Sequence, residues 1–478
     1  MADNDSRWWA IKNYKPRQFR HLFNTSTFLG NFVLAGILAY FFAFSDQGPA
    51  INYVLFLLLL SVGLWLTEAI PPFAVGIFII AYLVFVLGSD FFLPEPKDVE
   101  PYVSTWTSDV IWLLLGGFFL AQGMKSVGLD RDLFRYVVRR FGHKPDVFLM
   151  GLMMITALAS AVMSNTATTA MMISSVLPLL HTRPKDDPLS KCLLVGIPAA
   201  ASAGGMATII GTAPNAIAVA ALKDQGVQVG FLEWMLFGVP LAFIMVFFFS
   251  RYLSRRFLQS EGRLSLREFG LGEDEAAVLS IAGKRERLIV LLTFMVTIVL
   301  WSTEPLHGIP MAATSAVPIV LLTLSRVVSA EEVRSLPWDT LMLVAGGLAL
   351  GRALVDVGLA AQLVSHIESL GMPLWAVSIV FVIAALGLSN VMSHTAASAM
   401  MIPLVVGLPG LYGTTLPLAI ALTTSCALYL PISTPPNAIA YSTGRIEQRD
   451  FRLSGNFFSL IGPPLFFVVS LLVAYMIT

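Results

Sequence analysis

Charge is scarce in this chain. Asp, Glu, Lys and Arg make up 13% of its 478 residues, where a soluble domain carries roughly a quarter. The 30 basic and 30 acidic residues cancel, so no net field invites a nucleic acid. Cysteine is nearly missing. Cys192 and Cys426 stand far apart without motif spacing, which excludes a disulfide scaffold and gives no pattern for a structural metal. Apolar residues fill the space: 56% of the chain is hydrophobic and the mean hydropathy is +0.77. Only an integral membrane protein fits this balance.

Apolar stretches of spanning length, about 17–25 residues, fall at 27–44, 51–66, 72–91, 108–125, 191–222, 232–253, 287–302, 309–325, 340–357, 416–442 and 456–477. The 191–222 and 416–442 stretches are interrupted in the middle. Two more, 147–181 and 373–408, are too long for one simple span, and each carries a polar cluster near its midpoint. The expected fold is an all-α polytopic membrane protein. It has about eleven transmembrane helices plus two re-entrant hairpins whose tips lie deep in the bilayer.

Lys and Arg collect on the cytoplasmic side of a membrane. With the N-terminus inside, the inner loops hold Arg131, Arg135, Arg139, Arg140, Lys144, Arg183, Lys185 and Lys191, and later Arg251, Arg255, Arg256, Arg263, Arg267, Arg445, Arg449 and Arg452. The outer loops hold only Lys97 and Lys223. Reading the hairpins as single spans spoils that asymmetry. The scheme predicts a plasma (inner) membrane protein with its N-terminus cytoplasmic and its C-terminus outside. Arg7, Lys12, Lys15, Arg17 and Arg20 precede a stretch long enough to span, and no small-residue cleavage site follows. That is not the pattern of a cleavable signal peptide. The segment 7–23 reads as an interfacial amphipathic anchor, and 254–286 as a cytoplasmic connector.

The chain also repeats itself. WLTEAIP at 65–71 returns as WSTEPLHGIP at 301–310, and GGFFLAQGMKSVGL at 116–129 as GGLALGRALVDVGL at 346–359. MSNTATTAMM at 163–172 returns as MSHTAASAMM at 392–401, and GTAPNAIA at 211–218 as STPPNAIA at 433–440. The order is kept at a nearly constant offset. Residues 1–50 then form a tail and first span, 51–253 a first repeat, 254–286 the connector and 287–478 a second repeat. Each repeat holds five spans, an odd number, so the second inserts upside down. Inverted repeats with helices interrupted at matching positions mark a secondary transporter with its site at the midplane.

Non-helical backbone inside a membrane needs protein cover or a wet cavity. The SNT cluster offers groups that cap a broken helix, neutral oxygens for a hard cation such as Na⁺, and donors for an anion. GGMATIIGTAPN, 204–215, and LPISTPPN, 430–437, break one span each. Pro214 suits the first turn of the helix that follows. That helix start offers free N–H groups and a positive dipole end to an anion, while the preceding half-helix offers carbonyls to a cation. None of the four clusters contains Lys or Arg. A carboxylate there would be held by neutral donors and helix ends, with Na⁺ supplying positive charge nearby. A single Ser/Thr/Asn cluster in a membrane helix is usually interhelical glue; four at repeat-related positions are not so easily explained. Gly116–Gly117 and Gly346–Gly347 read as close helix packing, and Glu68 and Glu304 as helix-end ties.

Paired SNT-type clusters followed by GTAPNAIA and STPPNAIA resemble the divalent-anion/sodium symporter (DASS) family of di- and tricarboxylate transporters, from about residue 50 onward. The resemblance implies a homodimer, each protomer with a scaffold domain and a mobile transport domain. It implies elevator-type alternating access, Na⁺ as the coupling ion, and substrates such as succinate, malate, fumarate or citrate. Carried onto this sequence, it implies a first Na⁺ among Ser160, Ser164, Asn165 and the Gly211 backbone. A second Na⁺ would lie among Ser389, Ser393 in the 392–394 turn, and the Ser433 backbone. Substrate carboxylates would meet Asn165, Thr166, Thr212, Pro214, His394, Thr395, Thr434 and Pro435.

His394 departs from the family pattern, which has Asn there. Asn gives a neutral oxygen and two donors; neutral His gives one nitrogen acceptor and one donor. Nitrogen is a poor ligand for Na⁺. Three readings stay open. His394 ligates substrate while backbone carbonyls hold Na⁺; or, protonated, it stands in for a cation; or it is tolerated as packing at the hairpin tip. An intramembrane ionisable residue is a functional hypothesis by default. The alternative functions are a sodium-independent or proton-linked dicarboxylate exchanger, a tricarboxylate or sulfate transporter, and an anion channel. Serine–histidine hydrolysis has no nucleophile motif to support it.

Overall fold

The computed structural model describes residues 17–44, 48–141, 144–258, 281–369 and 371–477. Residues 7–16 of the expected anchor and 259–280 of the expected connector lie outside them. Every regular element among the described residues is a helix. The first half runs through α1 (Arg17–Phe41), α2 (Pro49–Thr67), α3 (Pro72–Leu87), α4 (Asp109–Ser126) and α5 (Leu129–Phe141). It continues with α6 (Pro145–Ser160), α7 (Asn165–His181), α8 (Pro188–Gly205), α9 (Ala213–Asp224) and α10 (Phe231–Phe257). The second half holds α11 (Ile281–Ser302), α12 (Ala316–Leu324), α13 (Trp338–Asp356), α14 (Leu359–Ser369) and α15 (Leu374–Val391). It ends with α16 (His394–Val405), α17 (Tyr412–Thr424), α18 (Pro435–Ser442) and α19 (Arg452–Ile477).

Helix starts follow local chemistry. Proline opens α2, α3, α6 and α8, where the first-turn N–H has no intrahelical partner to lose. Asp187 caps α8 by accepting from Ser190 N–H at 2.7 Å. All four interruptions announced by the polar clusters are present, at 161–164, 206–212, 392–393 and 425–434.

The helix bounds differ from the hydropathy reading in two ways. α1 begins at Arg17, so the end of the basic tail continues the first span instead of lying apart from it. Six helices among the described residues are long and apolar enough to cross a membrane, fewer than the eleven expected spans. Several expected spans are built from pieces: α8 with α9, α17 with α18, and Met311–Thr314 with α12. α15 has spanning length alone, so length does not distinguish this hairpin arm from a crossing helix.

Segments that match in sequence pack reciprocally. α3 lies on α13, while its counterpart α12 lies on α4. The paired glycines make these contacts close. A Cβ on Gly346 would overlap the Gly76 backbone, and one on Gly116 would come within 2.9 Å of Ser315. Further along, α7 packs on α18 and α16 on α9, while α8 packs on α18 and α17 on α9. The two halves therefore interleave at their interruptions. Cys192 and Cys426 are both buried, and neither is in a disulfide.

Candidate anion and cation site

Ser164 and Ser393 hold matching extended positions, with ψ of 140° and 147°. Each Oγ accepts from the N–H three residues on, Ala167 and Ala396, at 3.2 Å. Thr434 Oγ1 accepts from Asn437 N–H at 3.1 Å and so caps α18. Thr212 occupies the cap position of α9 without a side-chain bond, and Pro214 lies in the first turn as its spacing predicts. These four cap positions mark where four helices begin, three of them with a side-chain bond. The N-termini of α7, α9, α16 and α18 all open on one cavity of about 460 Å³. Each helix start carries the equivalent of about half a positive charge. Among the described residues no Lys or Arg lines the cavity, and Asp339 at the start of α13 does. Phe73 of α3, Phe118 of α4 and Thr340 of α13 also line it.

Neutral oxygens crowd behind the first cluster. Ser160 Oγ donates to Asn165 Oδ1 at 2.6 Å. Thr208 Oγ1 donates to the Ala161 carbonyl and accepts from Gly211 N–H at 3.0 Å. A Cβ on Gly205 would sit 2.7 Å from Asn165 Oδ1 and 3.2 Å from the Gly211 carbonyl oxygen. One on Gly211 would sit 2.6 Å from the Gly205 carbonyl oxygen and 3.1 Å from that of Ala161. Glycine at both positions leaves these oxygens room to converge. Such a set of carbonyl and amide oxygens at an unwound helix suits Na⁺.

The second cluster is built the same way, with one change. Ser389 matches Ser160 and His394 matches Asn165. Residue 394 has no amide oxygen, and Ser389 Oγ donates to the Thr424 carbonyl at 2.9 Å. Ser433 Oγ donates to the Leu430 carbonyl at 2.8 Å. Nε2 of His394 is buried and has no hydrogen-bond partner among the described residues.

Most of the expected site residues meet at the cavity: Ser164, Asn165 and Thr166; Gly211 and Thr212; Ser393, His394 and Thr395; Ser433, Thr434 and Pro435. Ser160 and Ser389 are buried behind this wall, and Pro214 is enclosed within α9. Asn215 and Asn437 have roles that the sequence did not reveal. Asn215 Nδ2 donates to the Gly205 and Thr208 carbonyls at 2.9 and 2.8 Å. Asn437 Nδ2 donates to those of Leu430 and Leu428 at 3.0 and 3.3 Å. The Asn of each PNAIA motif thus ties down the unwound backbone before its helix, satisfying carbonyls that have left the helical ladder. Asp339, Ser202 and Phe118 also line the cavity unannounced. At the far end of α9, Lys223 pairs with Asp109 of α4, and Arg352 of α13 forks onto Asp224 with both contacts at 3.1 Å.

A profile of the citrate transporter family (CitMHS) matches residues 62–425. The chain belongs to the citrate transporter family. It is 29% identical over 470 residues to the sodium-dependent dicarboxylate transporter SdcS of Staphylococcus saprophyticus, a match covering 90% of this chain and 86% of that protein. It is 28% identical over 466 residues to SdcS of Staphylococcus aureus strain USA300, covering 88% and 85%. The crystal structure of the Alcanivorax borkumensis YdaH transporter has the same fold, with a TM-score of 0.53 at 13% identity over 85% of this chain and 97% of that one. The likeness to the divalent-anion/sodium symporters is borne out. This family member is a multi-pass membrane transporter and not an enzyme.

Proposed function

We propose that this protein carries C4-dicarboxylates such as succinate, malate and fumarate into the cytoplasm in symport with Na⁺. The observation that carries the reading is the cavity: four helix N-termini face it and no basic side chain among the described residues lines it. A dicarboxylate brings two negative charges to a wall that already holds Asp339. Helix ends offset part of that charge, and Na⁺ in the adjoining oxygen pockets offsets more. Anion affinity then depends on the cation, which is the physical basis of coupling. Relatives named sodium-dependent dicarboxylate transporters, matched over about nine-tenths of the chain, support both the ion and the substrate class.

The protein works as a homodimer by an elevator mechanism. The hairpins and broken helices, α6–α9 and α15–α18, form the mobile domain. It slides against a scaffold that includes α3, α4, α12 and α13. The Lys223–Asp109 and Asp224–Arg352 pairs bridge the two groups. A second reading, sodium-independent or proton-linked exchange, is favoured by one observation: the unpartnered Nε2 of His394 beside the cavity.

Labelled succinate uptake into proteoliposomes separates the two. It is measured with a Na⁺ gradient, with K⁺ replacing Na⁺, and with succinate preloaded inside. Symport gives concentrative uptake that requires Na⁺ and no internal substrate. Uptake that ignores Na⁺ and requires internal succinate replaces it with exchange.

A further inference from the structure

A second cavity, of about 670 Å³, lies away from the dicarboxylate site, between α10 and α19. Its two ends differ in chemistry. Arg251, Arg255 and Arg256 gather at the C-terminal end of α10. From there Phe248 and Ile244 lead along α10, faced by Phe457, Ile461 and Leu465 of α19. Positions 244, 248, 251, 252 and 255 fall on one helical face by their three- and four-residue spacing. The floor is aromatic: Tyr252 and Phe457 stack with centroids 6.0 Å apart and 28° between planes, and Phe249 meets Phe457 at 5.1 Å.

The trough is amphipathic along its length. From residue 244 to 256 a helix rises about 18 Å, close to the roughly 15 Å hydrocarbon depth of one leaflet. Among the described residues no carboxylate pairs with the three arginines. In a chain this poor in charge, three guanidiniums with no carboxylate partner among the described residues, one of them over the Phe257 ring at 5.6 Å, stand beside an apolar channel and specify a complementary occupant: an anionic head with an apolar tail. We propose that an anionic phospholipid seats here, its phosphate on the arginines and one acyl chain in the trough. Guanidinium forks match phosphate oxygens, and basic pockets between transmembrane helices recognise such head groups. α10 also packs on α6 and α8, the helices that end at the first oxygen pocket. The lipid therefore lies one helix away from the elements that hold the candidate cation.

The test uses the full-length protein, stripped of lipid in neutral detergent. It is titrated with dioleoylphosphatidylglycerol, dioleoylphosphatidylcholine or soluble glycerol 3-phosphate, with bound lipid counted by native mass spectrometry. Phosphatidylglycerol binds in preference to phosphatidylcholine. The combined variant Arg251→Gln, Arg255→Gln, Arg256→Gln weakens phosphatidylglycerol on the order of 100-fold. Ile461→Trp fills the trough without touching the charge. It weakens the same lipid and decides the matter if the triple variant does not fold. Equal binding of the two lipids, or variants that bind like the parent protein, would overturn the proposal. So would glycerol 3-phosphate competing as well as the intact lipid, which would make this a soluble phosphate site.

Discussion

Ser160 and Ser389 hold equivalent places in the two halves, yet one donates to an amide oxygen and the other to a backbone carbonyl. The difference traces to His394. His394→Asn supplies the missing neutral oxygen, and the half-saturating Na⁺ for uptake should fall about fivefold, the effect of ~1 kcal/mol. Uptake at graded Na⁺ checks this; an unchanged or raised requirement means residue 394 does not face the cation. Asn165→Ala takes the oxygen from the first pocket and leaves Ser160 without its acceptor. The same assay should show a Na⁺ requirement raised about tenfold, since a buried donor left unpaired costs ~1–3 kcal/mol. The polar clusters were legible because hydroxyls and amides stand out in an apolar stretch. Asn215 and Asn437 were not, although both sit in quoted motifs. They act on carbonyls of an unwound segment, and no spacing announces which carbonyls those are. Asp339 was hidden for another reason: an acid in a helix's first turn is an ordinary match to the dipole.

At the scale of elements, hydropathy located the interruptions and missed their lengths. The break at 425–434 is longer than that at 206–212, although GTAPNAIA and STPPNAIA align. Apolar composition marks what can sit in a membrane, whereas helix ends depend on caps and tertiary hydrogen bonds. The glycine pairs were legible as close packing, and the partners, Gly76 and Ser315, needed the fold. Gly346→Ala forces a side chain into the Gly76 backbone and should cost about 1–3 kcal/mol, seen as a lower thermal midpoint. Gly30→Ala, facing open space, should leave the midpoint nearly unchanged. The ion pairs of α9 test the elevator. Cysteines placed at 224 and 352 and joined by a short cross-linker should halt uptake while succinate still binds. Continued uptake by the cross-linked protein would exclude sliding of α9 against α13. The buried Cys192 and Cys426 keep background labelling low.

For the molecule as a whole, the scarcity of charge sets the energetics. Moving one elementary charge through 100 mV is worth about 2.3 kcal/mol. If each cluster holds one Na⁺, a dianion carried with two is neutral. Uptake should then be indifferent to a membrane potential imposed with valinomycin and a K⁺ gradient. An inward current during transport would require a third cation. The membrane class was plain from composition alone, and the repeat from four matched segments. The reciprocal packing that brings those segments around one cavity was not, because it joins residues well over a hundred positions apart.

In the proposed symport the anion is held without a basic side chain and therefore needs Na⁺. Equilibrium binding of succinate to the purified protein tests it most directly, by calorimetry in NaCl and in KCl at equal ionic strength. Binding in Na⁺ should weaken about 100-fold in K⁺, near the upper end of ordinary coupling between sites. Equal affinity in the two salts would contradict it.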